Sequence, residues 1–89
     1  MSKNTRKYER HPVIMNARYR NVGDPAWVNG SVVNISKGGL CLIAGERIPV
    51  GTVLELEMET KLGATLKIHR VMGLIVWNAG EKYGTQFVG

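Results

Sequence analysis

The sequence has few of the residues that staple or anchor small proteins. Its 89 residues include a single cysteine, Cys41, so no internal disulfide can form, and no cluster of cysteine and histidine suggests a zinc site. No apolar run approaches the roughly 18 residues that a membrane-spanning helix requires. The polar N-terminus lacks the apolar core of a signal peptide. We therefore expect one cytoplasmic domain without disulfide bonds or a structural metal site.

Helical periodicity and catalytic clusters are missing as well. No segment repeats apolar residues with a sustained 3.6-residue period, so no helix is predicted. Glu55, Glu57 and Glu59 form a uniform row, which indicates a solvated strand face and not a pair of carboxyl groups with divergent pKa values. Nothing beside Cys41 suggests an activated thiolate. A chain this short is expected to bind and not to catalyse.

Positive charge is distributed unevenly along the chain. There are 12 Lys and Arg against 7 Asp and Glu, which gives a formal net charge of +5. Residues 1–11 carry four of the basic residues and one acidic residue, and so hold +3 of the total. Clustered arginine and lysine raise the local concentration of anions. We predict a flexible basic arm over residues 1–11, either solvated or anion-binding, followed by a folded unit over residues 12–89.

The remainder of the chain predicts short β-strands. Apolar and polar residues alternate with period 2 over residues 13–20 and 53–59, as expected of half-buried strands. Further strand candidates are residues 27–35, 40–43, 65–77 and 83–88. Residues 65–77 form one long or two short strands, with Gly73 as a bulge or bend. Six or seven strands at this spacing predict an all-β fold, either a small antiparallel barrel or a sandwich.

Several single residues are expected to serve packing. Trp27 and Phe87 are assigned to the core, and Cys41 lies in an apolar strand as a small buried hydrophobe. Trp77, near the end of a strand, is also expected to pack in the core, with ligand contact as its alternative. His69 is expected to be solvated or hydrogen-bonded.

The first segment with a functional signal lies in the basic arm. Arg6 and Arg10 are separated by three residues, and Pro12 follows closely. No apolar pattern supports a helix there, so we expect a flexible arm that places two guanidinium groups around one ligand. A guanidinium fork grips phosphate through two parallel hydrogen bonds.

The second segment is the turn over residues 34–39, Asn-Ile-Ser-Lys-Gly-Gly. Asn34 offers both an acceptor and donors, and Ser36 offers a hydroxyl that can reach a phosphate oxygen. Gly38 and Gly39 permit positive φ and let a ligand approach the backbone. An ordinary hairpin turn is the alternative. The segment matches neither a nucleophile elbow nor a phosphate-binding P-loop.

Together, in this order and at about this separation, the two segments resemble the signature of the PilZ domain family. These are bacterial receptor modules for the second messenger cyclic di-GMP, and their signature is RxxxR followed by D/NxSxxG. Arg6 and Arg10 match the first part, and Asn34, Ser36 and Gly39 match the second. The resemblance extends over nearly the whole chain and implies a small antiparallel β-barrel of six to seven strands.

The resemblance also implies a site. Arg6 and Arg10 would hold the phosphates and the Hoogsteen edges of guanine, which present acceptors suited to a guanidinium fork. Asn34 and Ser36 would contact guanine and phosphate from the barrel surface. The remaining residues implied at the site are Gly38 and Gly39, which keep the loop close to the ligand, and Lys7 and Trp77 as secondary candidates for contact.

A receptor of this kind would have no catalysis and no cofactor. It would relay ligand occupancy to a protein partner that controls motility, adhesion or biofilm formation, as a monomer or a dimer. Thr5 stands where many family members carry an additional arginine, and the family's C-terminal helix has no counterpart after Val88. Two alternatives stay open. One is a basic β-barrel that binds single-stranded nucleic acid, although no long nucleic acid is expected with the charge in the arm. The other is a PilZ-like interaction domain that binds no ligand.

Overall fold

The computed structural model describes residues 11–88, apart from the side chains of His11, Pro12 and Leu62. This part of the chain is all-β. Its strands are β1 His11–Asn21, β2 Val28–Ile35, β3 Gly39–Ile43, β4 Val53–Leu62, β5 Thr65–Ala79 and β6 Lys82–Val88. Over these residues there is no helix of the length and apolarity needed to cross a membrane.

The six strands close into an antiparallel barrel in the order β1-β2-β3-β6-β5-β4. Four of the neighbouring pairs join strands that are consecutive in sequence. The other two pairs, β1 with β4 and β3 with β6, join strands that are distant along the chain. The barrel predicted from the family resemblance is thus confirmed. Closure removes the exposed sheet edges over the length where all six strands pair.

Period-2 alternation fills the barrel interior as the sequence predicts. On β1, Ala17 and Tyr19 are buried, whereas Ile14 points outward and is 91% exposed. On β4, Leu54, Leu56 and Met58 all face the core. β3 adds Leu40 and Leu42, β5 adds Ile75, and β6 adds Tyr83. Burial of a large apolar side chain contributes about 1.5–3 kcal/mol, so this shared interior holds the strands together.

The structure locates the irregularity of β5 differently from the sequence-based prediction. β5 is one strand of 15 residues, and its pairing runs without interruption through Gly73, which is buried. The register shift lies instead between Ile75 and Trp77. Gly73 is needed for space, because a Cβ at this position would collide with the methyl group of Thr85. The predicted bulge or bend at Gly73 was therefore wrong in position.

One end of the barrel is capped by the segment between β3 and β4. The Tyr19 hydroxyl donates a hydrogen bond to the Glu46 carboxylate at 3.0 Å. The Tyr83 hydroxyl donates to the Glu46 carbonyl at 3.0 Å and accepts from the Ile48 N–H at 3.2 Å. Burial, together with the bond to Glu46, raises the pKa of Tyr19. The opposite end carries the start of β1, the β2–β3 turn, the end of β6 and the tip of the β4–β5 hairpin.

Candidate ligand site

The β2–β3 turn brings the second sequence motif together at one end of the barrel. Asn34 lies on β2, Ser36 begins the turn and Gly39 is the first residue of β3. The Ser36 N–H donates to the Gly39 carbonyl at 2.8 Å. The Ser36 hydroxyl accepts from the Gly38 N–H at 3.3 Å and lies 3.4 Å from the Gly39 carbonyl. Ser36 therefore supports the turn, as the hairpin alternative predicts, and its half-buried hydroxyl is engaged within the turn through long bonds.

The two glycines of the turn serve a purpose that the sequence does not reveal. Among residues 11–88 positive φ occurs at Gly23, Gly51, Gly63 and Gly80. Gly38 and Gly39 have negative φ, so the positive φ that glycine permits is used at neither position. Gly39 is required because β3 approaches β6 closely, and a Cβ there would collide with the Thr85 carbonyl oxygen. The Gly38 carbonyl accepts from the Phe87 N–H at 2.9 Å, which ties the turn to the end of β6.

Asn34 belongs to a row of residues that crosses the outer surface. The register pairs Asn34 with Cys41, Cys41 with Gly84 and Gly84 with Trp77. Directly opposed residues of antiparallel strands share a face. Tyr83 and Thr85, which flank Gly84, are buried, so the row faces outward. Half-buried Asn34 therefore lies on the same outer face as Trp77, with strands β3 and β6 between them.

Trp77 lies on this outer surface and not in the core, contrary to the expectation that it packs inside. Its side chain is partly exposed at 38%. The indole ring lies directly over Gly84, where a Cβ would overlap the ring. Gly84 thus leaves room for a flat aromatic group on the barrel surface. Cys41, next in the row, is buried as predicted.

The arginines of the first motif lie outside the described residues, as does Lys7. Their point of attachment is nevertheless fixed by the register of β1. His11 pairs with Ile35, and Pro12 pairs with Asn34. The segment that carries Arg6, Lys7 and Arg10 consequently joins the barrel beside the turn that carries the second motif.

A cluster of charges that the sequence reading missed lies elsewhere on the outer face. Glu57 on β4 is directly opposite Arg18 on one side and Arg70 on the other. Arg18 Nε donates to Glu57 Oε1 at 2.6 Å, and Arg70 donates to Oε2 through Nε at 2.9 Å and also through Nη2. Hydrogen bonds from Arg70 and then Arg18 lower the pKa of Glu57. Glu57 is only 5% exposed, so the prediction of a uniformly solvated glutamate row was wrong for this residue.

Trp27 also departs from expectation, because it packs against cations and not in the core. The guanidinium carbons of Arg18 and Arg20 lie 4.6 and 4.3 Å from the centre of its ring, within the range of cation–π attraction. Arg20 in addition bonds Glu55 at 3.1 Å. Phe87 is the other aromatic residue assigned to the core. It is partly buried and packs against the buried residues of the barrel interior. The alternation of basic residues on β1 was the available signal for these contacts.

The strands and the Asn-x-Ser-x-x-Gly turn beside the entry of β1 define a small closed antiparallel β-barrel module. A family model described as PilZ domain matches residues 4–89. The chain therefore belongs to the PilZ domain family, whose members are binding and regulatory domains linked to cyclic di-GMP.

The barrel is also similar to a solved structure, that of the Bacillus subtilis inhibitor of motility, MotI/DgrA. The two share 16% sequence identity with a TM-score of 0.78, over 98% of this chain and 44% of that one. Because the match covers 44% of that protein, this chain spans less than half of its length. Similarity at 16% identity shows a shared fold. No curated protein sequence matches the chain.

Proposed function

We propose that the chain binds cyclic di-GMP between its N-terminal basic arm, residues 1–11, and the outer face of the barrel, residues 12–89, at the β2–β3 turn. The observation that carries this proposal is the register of β1, which pairs His11 with Ile35. Since β1 begins beside the turn with Asn34 and Ser36, this pairing supports a site that the arm with Arg6 and Arg10 shares with the turn. Two motifs separated in sequence can therefore act on one ligand.

Reach and charge both support the role of the arm. Arg10 is bonded to His11, and an extended chain spans at most about 3.3–3.6 Å per residue, so Arg10 and Arg6 stay within reach of the turn. Their guanidinium groups suit the two phosphates and the O6 and N7 acceptors of guanine. Lys7 adds a further positive charge between them.

The barrel surface supplies the other half of the proposed site. Asn34 and Ser36 present polar groups at the turn, while Gly38 and Gly39 hold the turn close to β6. Trp77 offers an aromatic face on the same outer surface. Stacking of a guanine on such a ring contributes about 1–3 kcal/mol. We propose contacts from all of these residues, with Lys7 and Trp77 as secondary ones.

The consequence of binding would be an ordered arm that a protein partner recognises. Ordering a flexible segment costs on the order of 1–2 kcal/mol per residue, and charge-assisted bonds to a doubly charged ligand offset this cost. Occupancy would thereby become a structural signal for a partner that controls motility or biofilm formation. The similarity in fold to an inhibitor of motility favours motility among these outputs.

Calorimetric titration of the full chain with cyclic di-GMP tests the proposal. We expect saturable heat for the natural sequence and its loss in Arg10→Ala, with an unchanged circular dichroism spectrum. Arg47→Ala is the matched control, because Arg47 is exposed in the segment at the opposite end of the barrel, and it should bind normally. Absence of heat at high micromolar ligand in the natural sequence would refute the proposal and leave a ligand-independent interaction domain.

A further inference from the structure

The outer face of β1 carries two arginines that lie away from the candidate ligand site. Arg18 and Arg20 alternate with buried residues of the strand, so both point outward. At Arg18, β1 is paired with β2 on one side and with β4 on the other. The row from Asn34 to Trp77 crosses β3 and β6, and β6 lies on the opposite side of the barrel from β1. The two arginines therefore belong to a separate surface of the closed barrel.

The carboxylate that binds Arg18 lies deeper in this surface than the guanidinium group. The Glu57 side chain is 6% exposed, whereas that of Arg18 is 48% exposed. Arg20 and Glu55 are exposed to similar extents. Both arginines donate to their glutamates through Nε, and among residues 11–88 their terminal Nη groups bind no further acceptor. The surface thus presents guanidinium N–H donors to solvent above a glutamate that is already engaged.

Trp27 holds both guanidinium groups in place, because each lies within 5 Å of the centre of its ring, at 4.6 and 4.3 Å. Stacking on an aromatic ring restricts a long side chain, so less conformational entropy is lost when a ligand binds. Arg18 and Arg20 are two residues apart on one strand, which places their Cα atoms about 7 Å apart. Alternate side chains of an extended peptide have the same spacing. The surface therefore contains two pre-oriented arginine forks that match such a peptide.

Amide side chains flank the two arginines, and one carboxylate limits their charge. Asn29 is directly opposite Arg18 on β2, and Asn16 lies two residues before Arg18 on the same face. Both asparagines are exposed, and their amides can bind the N–H and C=O groups of a peptide main chain. Exposed Glu59 lines the same groove as Asn16 and Arg18. Acidic side chains of a ligand are therefore favoured at Arg18 and Arg20 and disfavoured at the end with Asn16.

We propose that the outer face of β1 binds an extended acidic segment of a partner protein, in which two carboxylates at alternate positions pair with Arg18 and Arg20. Pairing of a guanidinium group with a carboxylate combines opposite charge with directional hydrogen bonds. Arginine and tryptophan are also the residues that most often anchor protein interfaces. The inference is independent of the proposed binding of cyclic di-GMP.

Other occupants fit this surface less well. The ring of Trp27 already carries two guanidinium groups, so it is a poor platform for the stacked bases of single-stranded nucleic acid. A second copy of the chain would have to supply two exposed carboxylates at alternate strand positions. In the described part of the chain such spacing occurs on β4, where Glu57 is buried and Glu55 is bound to Arg20. Charge complementarity therefore favours an acidic segment of another protein.

Fluorescence anisotropy with the full chain and a labelled synthetic peptide tests this inference. The peptide has about nine residues, which exceeds the usual length of a strand, and consists of threonine apart from two aspartates at alternate positions. One control peptide has asparagine in place of both aspartates, and another has the two aspartates adjacent, so that they point to opposite sides of an extended chain. We expect saturable binding of the first peptide and affinities about tenfold weaker for both controls.

Removal of one positive charge separates this surface from general attraction to a basic protein. Arg20→Gln should weaken binding of the peptide with alternate aspartates about tenfold. Lys82→Gln is the matched control, because Lys82 is exposed on β6, across the barrel from β1. Its distant charge is screened by salt, so the affinity should stay within about twofold. In the natural sequence, shifts of amide, arginine Nε–H and Trp27 indole resonances should concentrate at residues 16–20 and 27–29, a readout that does not depend on the folding of any variant.

Four results would overturn the inference. The first is equal binding of the three peptides. The second is a set of resonance shifts centred on residues 1–11 or on the turn over residues 34–39. The third is a single-stranded oligonucleotide that displaces the peptide and is weakened equally by Arg20→Gln, which would make the surface a general polyanion site. The fourth is self-association of the chain that Arg20→Gln abolishes, since a second copy would then be the occupant.

Discussion

Arg70 on β5 donates two hydrogen bonds to the carboxylate of Glu57, its direct partner on β4. Arg18 on β1 binds the other oxygen of the same carboxylate. One buried carboxylate thus links three adjacent strands on the outer face, including the pair β1 and β4 that closes the barrel. Two arginines around one glutamate leave a net positive charge at this point of the surface.

Removal of the charge of Glu57 should destabilise the barrel. Glu57→Gln keeps the size of the side chain but leaves two arginines without their anion, so we expect a lower midpoint of urea unfolding. Glu59→Gln is the matched control, because Glu59 is exposed on the same face of β4, and its midpoint should stay close to that of the natural sequence. Equal midpoints for the two variants would contradict a structural role for the Glu57 cluster.

The same cluster predicts a dependence of stability on pH. The arginines lower the pKa of Glu57 in the folded state below its ordinary value of 4.5. The stabilisation from Glu57 is therefore complete above that value and is lost as the pH falls through the lower, folded-state pKa. Unfolding of the natural chain and Glu57→Gln at a series of pH values should show a gap in stability at pH 7 that narrows in acid. A gap that widens in acid would rule out this linkage.

Gly39 should tolerate no side chain, for structural reasons alone. Gly39→Ala directs a methyl group into the Thr85 carbonyl oxygen, and overpacking of this kind costs about 1–3 kcal/mol. In Gly45→Ala the new methyl group meets nothing within 4 Å, so its stability should barely change. Urea unfolding of both variants is the measurement, and a stable Gly39→Ala would show that β3 and β6 can separate at this point.

The Tyr83 hydroxyl should hold the capping segment in place. Tyr83→Phe leaves the buried N–H of Ile48 without its acceptor, and an unsatisfied buried donor costs about 1–3 kcal/mol. We expect faster hydrogen exchange at the Ile48 amide in this variant. Tyr19→Phe removes a bond to the Glu46 side chain and spares the Ile48 contact, so exchange at Ile48 should be less affected. Identical exchange in the two variants would argue against the Tyr83 bond as the anchor.

Trp77 and Trp27 provide a paired test of the proposed ligand surface. Trp77→Ala should weaken binding of cyclic di-GMP about tenfold, as expected from the loss of one stacked base. Trp27→Ala is the control, because it removes the same type of side chain at a different place, where Trp27 contacts Arg18 and Arg20. This variant should bind cyclic di-GMP with unchanged affinity. Calorimetry measures both, and an equal loss of affinity would exclude a specific role for Trp77.

The sequence predicts the strands well because alternation is a local signal. Leu54, Leu56 and Met58 reveal their burial through spacing alone. All six strands of the structure overlap segments that were predicted from the sequence. The role of Glu57 could not be found this way, since it depends on the pairing of β1 with β4 across distant parts of the chain. Trp27 was misassigned for a related reason. Its hydrophobicity favours the core, but the two arginines that cover it are identified only by the folded surface.

In the candidate site, too, local sequence patterns predict some features, whereas others depend on contacts between distant strands. Family resemblance brings Asn34, Ser36 and Gly39 to attention, and the predicted strand over residues 27–35 contains the first of them. The reason for Gly39 is nevertheless non-local, because the collision that excludes a side chain is with Thr85 on β6. The contributions of Arg6 and Arg10 stay predictions, since both lie outside the described residues.

The β2–β3 turn also determines how the barrel would sit within a longer polypeptide. β1 begins with His11 beside Ile35, and the end of β6 is bonded to Gly38. The chain therefore enters and leaves the barrel on either side of one turn. Segments attached before and after the barrel would emerge close together. A molecule bound at the β2–β3 turn would therefore lie next to both points of attachment.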